Sequence, residues 1–111
     1  MNVLARVTSA RRRDVCVVSL RGEIDFSNAG DVSARIQNEV PDDVLRVALD
    51  LSETSYLDSA GIRLVLELAE RLSERRVALT LVVPKGAPIA SVLELTDIGS
   101  IVEITDRLPA G

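Results

Sequence analysis

Histidine is absent from this chain of 111 residues, and cysteine, tyrosine and phenylalanine occur once each. Each scarcity excludes something. Without an imidazole there is no Ser-His or Cys-His nucleophile pair. With one thiol besides, a zinc site of the usual Cys/His kind cannot be assembled, and no metal site is expected. Cys16 has no partner for an internal disulfide, which fits a reducing compartment and makes the cytoplasm the expected location. Phe26 and Tyr56 are the only aromatic residues, so the core must be aliphatic. No apolar run is long enough to span a bilayer, so membrane insertion is not expected. The opening MNVLARVTSA has no long apolar signal core, because Arg6 interrupts it. Basic residues are outnumbered 13 to 17, for a net charge of -4. Binding to nucleic acid needs a clustered basic surface with few opposing acids, so that partner class is excluded. The glycines at 22, 30, 61 and 86 are scattered and form no phosphate-cradling loop.

What is present suffices for one soluble domain over 1–111, with 47% hydrophobic and 27% charged residues. Val3, Ala5 and Val7 alternate with Leu4, Arg6 and Thr8 and predict a first, edge strand. Arg11, Arg12, Arg13 and Asp14 then read as a solvated turn rather than a patch for an anionic partner. Val15 to Leu20 predicts a second strand, with Cys16 as a small buried residue rather than a reactive thiol. After Gly22-Glu23-Ile24-Asp25 a helix opens, with Ser27 or Asp25 as its cap. Ala29, Val32, Ile36 and Val40 give it a narrow apolar stripe, and Pro41-Asp42-Asp43 stops it.

Arg46 to Leu51 is apolar on both faces and belongs in the sheet centre. Ser52 to Asp58 reads as a crossing into a second helix, from about Ala60 to Glu74. Leu68, Val65, Leu72, Ala69, Ile62 and Leu66 form its apolar face. Leu64 falls at the border, where contact with a partner is open to it. Ala78 to Val83 predicts the next strand. Pro88 starts a third helix, Gly99 is a plausible stop, and Ile101 to Ile104 is the last strand. The expected fold is α/β: a single mixed five-stranded sheet with helices packed on it, in the order β-β-α-β-α-β-α-β.

The stretch VALDLSETSYLDSAGIRLVLEL, Val47 to Leu68, carries the chemistry. Its turn, Asp58-Ser59-Ala60-Gly61, is sufficient as a plain helix cap. The Ser59 hydroxyl also lies among unpaired backbone N–H groups at the positive end of a helix, a natural place for a phosphate. Asp25 and Asp58 can meet at one end of the sheet, and paired carboxylates can do acid–base work. Nothing else in the sequence supplies a pocket, a metal or a second functional pair, so an enzyme is not expected.

LRGEID at Leu20 to Asp25, the Val47 to Leu68 stretch, and PIASVLELTDIGSIVEI together resemble the STAS domains, and among them the freestanding anti-sigma factor antagonists of bacteria. The resemblance covers nearly the whole chain, and the element order above is that of the STAS fold. It implies a partner-switching protein. Ser59 matches the serine that is phosphorylated, with Asp25, Asp58, Ala60 and Gly61 around it. Tyr56, Ser59, Ala60, Arg63 and Leu64 would be partner-facing. The implied partners are an anti-sigma factor that is a GHKL-type serine kinase and a PP2C-type phosphatase that restores the serine. The unphosphorylated form would bind the anti-sigma factor and release the sigma factor. No cofactor is implied. The oligomeric state is open, with a monomer favoured. Ala60 stands where many members carry serine or threonine, leaving Ser59 the one hydroxyl of the turn. Only a short tail, Thr105 to Gly111, follows the last strand where many members have a full helix, so contacts from that helix have no expected source. The alternative is a STAS scaffold in another assembly, such as a lipid-transport ABC system. A small-nucleotide binder or phosphatase-like enzyme using Asp25 and Asp58 is a third, less favoured class.

Overall fold

The computed structural model describes residues 4–109. The alternating runs at the start become a hairpin, in which β1 (Ala5–Arg12) pairs antiparallel with β2 (Val15–Ile24). Arg13 and Asp14 alone connect them, and Arg13 has φ 57°. A positive φ at the first central position suits so short a connection, since it matches the twist of the flanking strands. The arginine run is therefore only partly a turn: Arg11 and Arg12 belong to β1, and Arg11 contacts Asp43 at 2.6 Å on the surface. Val3, expected in the first strand, lies outside the described residues.

α1 (Ala29–Glu39) buries Val32 and Ile36, as its apolar stripe predicts. β3 (Arg46–Asp50), β5 (Ala78–Val82) and β6 (Glu103–Thr105) extend the sheet in parallel, giving the order β1-β2-β3-β5-β6. The sheet has six strands, not five. The additional one is β4 (Thr54–Leu57), inside the segment read as a crossing. Only its end residues, Thr54 and Leu57, are buried, so it lacks an alternating pattern. It exists because β2 is long. Val15 to Ser19 pairs with β3, and Gly22 to Ile24 pairs in parallel with β4. The pairing slips between Gly22 and Glu23. Gly22 has φ +108°, and a Cβ there would sit 2.2 Å from the Leu4 carbonyl oxygen, so only glycine fits this irregularity.

α2 (Ser59–Glu74) and α3 (Ala90–Glu94) complete the fold. The main core joins Val18, Leu20, Leu49 and Leu81 of the sheet to Ile36, Leu68 and Leu72 of the helices. Val15, Val17, Ala48 and Val82 alternate with that set and form a smaller cluster on the other face. α3 is short because the Thr96 hydroxyl donates to the Leu93 carbonyl and accepts from Ile98 N–H, which diverts the chain into a 3-10 turn at Asp97–Ser100. Gly99, read as a stop, falls inside that turn. The last strand begins at Glu103 because Ile101 and Val102 still donate to Ile98. No helix of the described residues is long and apolar enough to cross a membrane.

Candidate functional site

Register creates the site. Ile24 lies opposite Leu57 in the parallel β2–β4 pair, so the next residues, Asp25 and Asp58, leave the sheet side by side. Asp58 N–H donates to the Ile24 carbonyl at 3.4 Å. The ends of parallel strands are where α/β sheets present functional groups.

Each aspartate then does something different. Asp58 is the N-cap of α2: its Oδ1 accepts from Ala60 N–H at 2.9 Å and Gly61 N–H at 3.2 Å. Its Oδ2 accepts from Phe26 N–H at 3.3 Å. One carboxylate thus starts α2 and fastens the β2–α1 loop to it. Asp25 turns back on its own loop, accepting from the Ser27 backbone N–H at 2.8 Å and from the Ser27 hydroxyl. The hydrogen bond from the Ser27 hydroxyl, followed by that from its N–H, holds the Asp25 carboxyl below the usual carboxylate range. A general acid needs the opposite shift.

Neither Ser27 nor Asp25 caps α1 through its side chain, contrary to the sequence expectation. The N-cap is Asn28, and its side chain makes no cap bond either. Instead, Asn28 Oδ1 accepts from Asp25 N–H at 2.9 Å and Nδ2 donates to the Glu23 carbonyl at 2.8 Å. The Asp25 backbone carbonyl receives Ala29 N–H at 2.9 Å. Loop closure has taken the side chains that a cap would use.

Ser59 is the first residue of α2 and is exposed. Its hydroxyl has no hydrogen-bond partner among the described residues. Ala60 is half-buried. Gly61 is buried, and a Cβ there would come 2.2 Å from Leu57 Cδ1. The missing side chain lets the first turn of α2 rest directly on the end of β4.

Beyond this mouth an open groove of about 670 Å³ runs between α1 and α2. Ala29, Gly30, Ser33 and Ala34 line one wall, and Ser59, Ala60, Arg63 and Leu64 the other. Four of the five expected partner-facing residues therefore share one groove. Leu64 is a correction in kind: it lines the floor of the groove but is buried at 4% exposure as part of the main core. Tyr56 is not in the groove. It alternates with Leu57 on β4, opposite the helix-packed face, and is 48% exposed.

Sequence reasoning missed Phe26, which is 85% exposed. Both aromatics of the chain are thus outside the core and beside the two aspartates. The available signal was position: Phe26 stands alone among Asp25, Ser27 and Asn28 and joins no periodic apolar pattern. Chemically, the site offers a hydroxyl with no base in hydrogen-bond contact among the described residues. Among the described residues no cluster of ligands suits a metal ion.

The sheet order and the helix mouth define a small mixed α/β module of the STAS type. The STAS domain model matches residues 6–110, and the chain belongs to that family. BtrV of Bordetella bronchiseptica, assigned as an anti-sigma factor antagonist, is 29% identical over 106 residues, 95% of this chain and 90% of BtrV. The anti-sigma-F factor antagonist RsfB of Mycobacterium tuberculosis is 31% identical over 68 residues, 61% of this chain and 56% of RsfB. The crystal structure of an anti-sigma factor antagonist from Mycobacterium paratuberculosis shares the fold. Its TM-score is 0.81 at 24% identity, covering 94% of this chain and 87% of that one.

Proposed function

We propose that this chain is an anti-sigma factor antagonist, a binding protein rather than an enzyme, switched by phosphorylation of Ser59. Its unphosphorylated form binds an anti-sigma factor and releases the sigma factor. The observation that carries the reading is the state of the Ser59 hydroxyl, which is exposed and unbonded at the mouth of α2. The names of BtrV and RsfB support the partner class.

The proposed modifying enzyme is the anti-sigma factor itself, acting as a GHKL-type serine kinase. Ser59 Oγ forms the new bond to the γ-phosphorus of ATP, the bond to the β-phosphate oxygen breaks, ADP leaves, and the hydroxyl proton passes to the kinase. A PP2C-type phosphatase returns the serine. The added charge is about -1.5 to -2 at pH 7. A helix N-terminus accommodates that charge without unfolding. A docked partner must instead desolvate it, and every ~1.4 kcal/mol lost there weakens binding tenfold.

Incubation with the cognate kinase and ATP tests the reading. The expected result is one phosphate per chain, on Ser59, and none in Ser59→Ala. Full labelling of Ser59→Ala overturns it.

A further inference from the structure

The structure assigns Arg63 a role in that switch: once Ser59 carries phosphate, we infer that Arg63, one turn further along α2, folds back to pair with it, so that its charge is no longer free to meet a partner in the groove. This rests on the phosphorylation of Ser59 proposed above and adds how the modified state is held.

Position comes first. Residues four apart on a helix are surface neighbours, with Cβ atoms about 5–6 Å apart. The order is favourable, with the anion nearer the N-terminus and the cation following it. Ser59 and Arg63 both line the α1–α2 groove, so their side chains emerge on one side of α2. The guanidinium is a planar fork that matches the oxygens of a phosphate.

Availability comes second. The neighbouring cations are engaged: Arg35 pairs with Asp31 at 3.2 Å, Arg75 with Asp42 at 3.3 Å, and Arg71 donates to Gln37 at 3.4 Å. Arg63 is exposed and has no hydrogen bond or ion pair among the described residues. Little competes for it. The α1 wall opposite is Ala29, Gly30, Ser33 and Ala34, without charge. The Asp58 carboxylate is bonded to three backbone N–H groups. Glu67 is the one acid lining the groove, one turn beyond Arg63. A phosphate of nearly two charges at Ser59 outcompetes that single carboxylate. Phosphorylation then alters the surface twice, adding an anion and engaging a cation that a partner would otherwise meet unpaired.

The test needs no kinase. Phosphoserine is inserted at position 59 during translation, and the phosphate is titrated by phosphorus NMR in the native chain and in Arg63→Gln. A nearby guanidinium stabilises the dianion, so the second phosphate pKa, ordinarily about 6, is expected to rise by about half a pH unit in Arg63→Gln. Arg63→Lys should restore most of the difference, and 1 M salt should diminish it. An identical titration in native and Arg63→Gln chains overturns the inference. If the phosphoserine chain does not fold, a double-mutant cycle of Ser59→Glu with Arg63→Gln takes its place. Coupling in Tm that salt removes supports the pairing, and strict additivity overturns it. Because the phosphate is installed without an enzyme, failure of this pairing and failure of Ser59 as a kinase substrate are seen in separate experiments.

Discussion

The two helices that meet at the site begin in opposite ways. α2 begins on Asp58, whose carboxylate bonds two amides of its first turn and reaches Phe26 in the neighbouring loop. α1 begins on Asn28, whose side chain turns away from the helix to close the loop behind it. An N-cap oxygen satisfies amides that the helix cannot satisfy itself. Because Asp58 fills that role, the hydroxyl at Ser59 is left without a structural bond. At α1 the equivalent groups, Asn28 and Ser27, are absorbed by hydrogen bonds within the loop. Two adjacent helix mouths at the end of one sheet therefore differ in what they leave unbonded: a side-chain hydroxyl at α2 and none at α1.

The largest expected effect lies where both helices rest. Leu64→Ala should destabilise the protein by about 2–3 kcal/mol, the low end for a buried leucine because the groove already opens above it. Arg63→Ala, next door, should change stability by less than about 0.5 kcal/mol. Urea midpoints at unchanged slope measure both, and equal effects would mean that Leu64 does not join the two helices.

Asp58→Ala sharpens the contrast between the mouths. It removes the cap and the tie to Phe26, an expected loss of about 2 kcal/mol. Asn28→Ala removes loop bonds only and should cost about 1 kcal/mol. Hydrogen exchange should quicken at Ala60, Gly61 and Phe26 in the first variant, but not at Ala60 and Gly61 in the second. Equal losses with the same exchange pattern would erase the distinction.

The smallest effect is pH-dependent. Bonds from Ser27 lower the folded-state pKa of Asp25, so its stabilisation is present above the ordinary carboxylate value of about 4 and fades as pH falls through the lower folded value. Asp25→Asn should be less stable than the native chain at neutral pH, and the gap should narrow on acidification from pH 5 to pH 2. A gap that stays constant across that range would show that the bonds from Ser27 do not favour the charged form.

Much of this was legible in the residues. The stripe of α1, the apolar face of α2 and the central position of β3 all follow from burial at a fixed period. The short or irregular pieces were not. β4 carries no alternation, and its existence depends on a partner strand more than 30 residues earlier in the chain. Leu64 reads as a border residue on an isolated helix and is buried only within the assembled core. Phe26 would pass for core by composition, yet a loop tied down by Asp58 holds it in solvent.

Local sequence by itself determined where hydrophobic period changes from two to nearly four, where α1 and α2 stop, and that a serine follows an aspartate at a helix start. Those outcomes depend on residues within a few positions of each other, so the chain states them directly. Which aspartate would cap, which hydroxyl would stay free, and which border leucine would join the core were decided only in three dimensions. The reason is that hydrogen-bond acceptors and apolar surfaces are allotted among neighbours in space, and the register of β2 against β4 selects those neighbours.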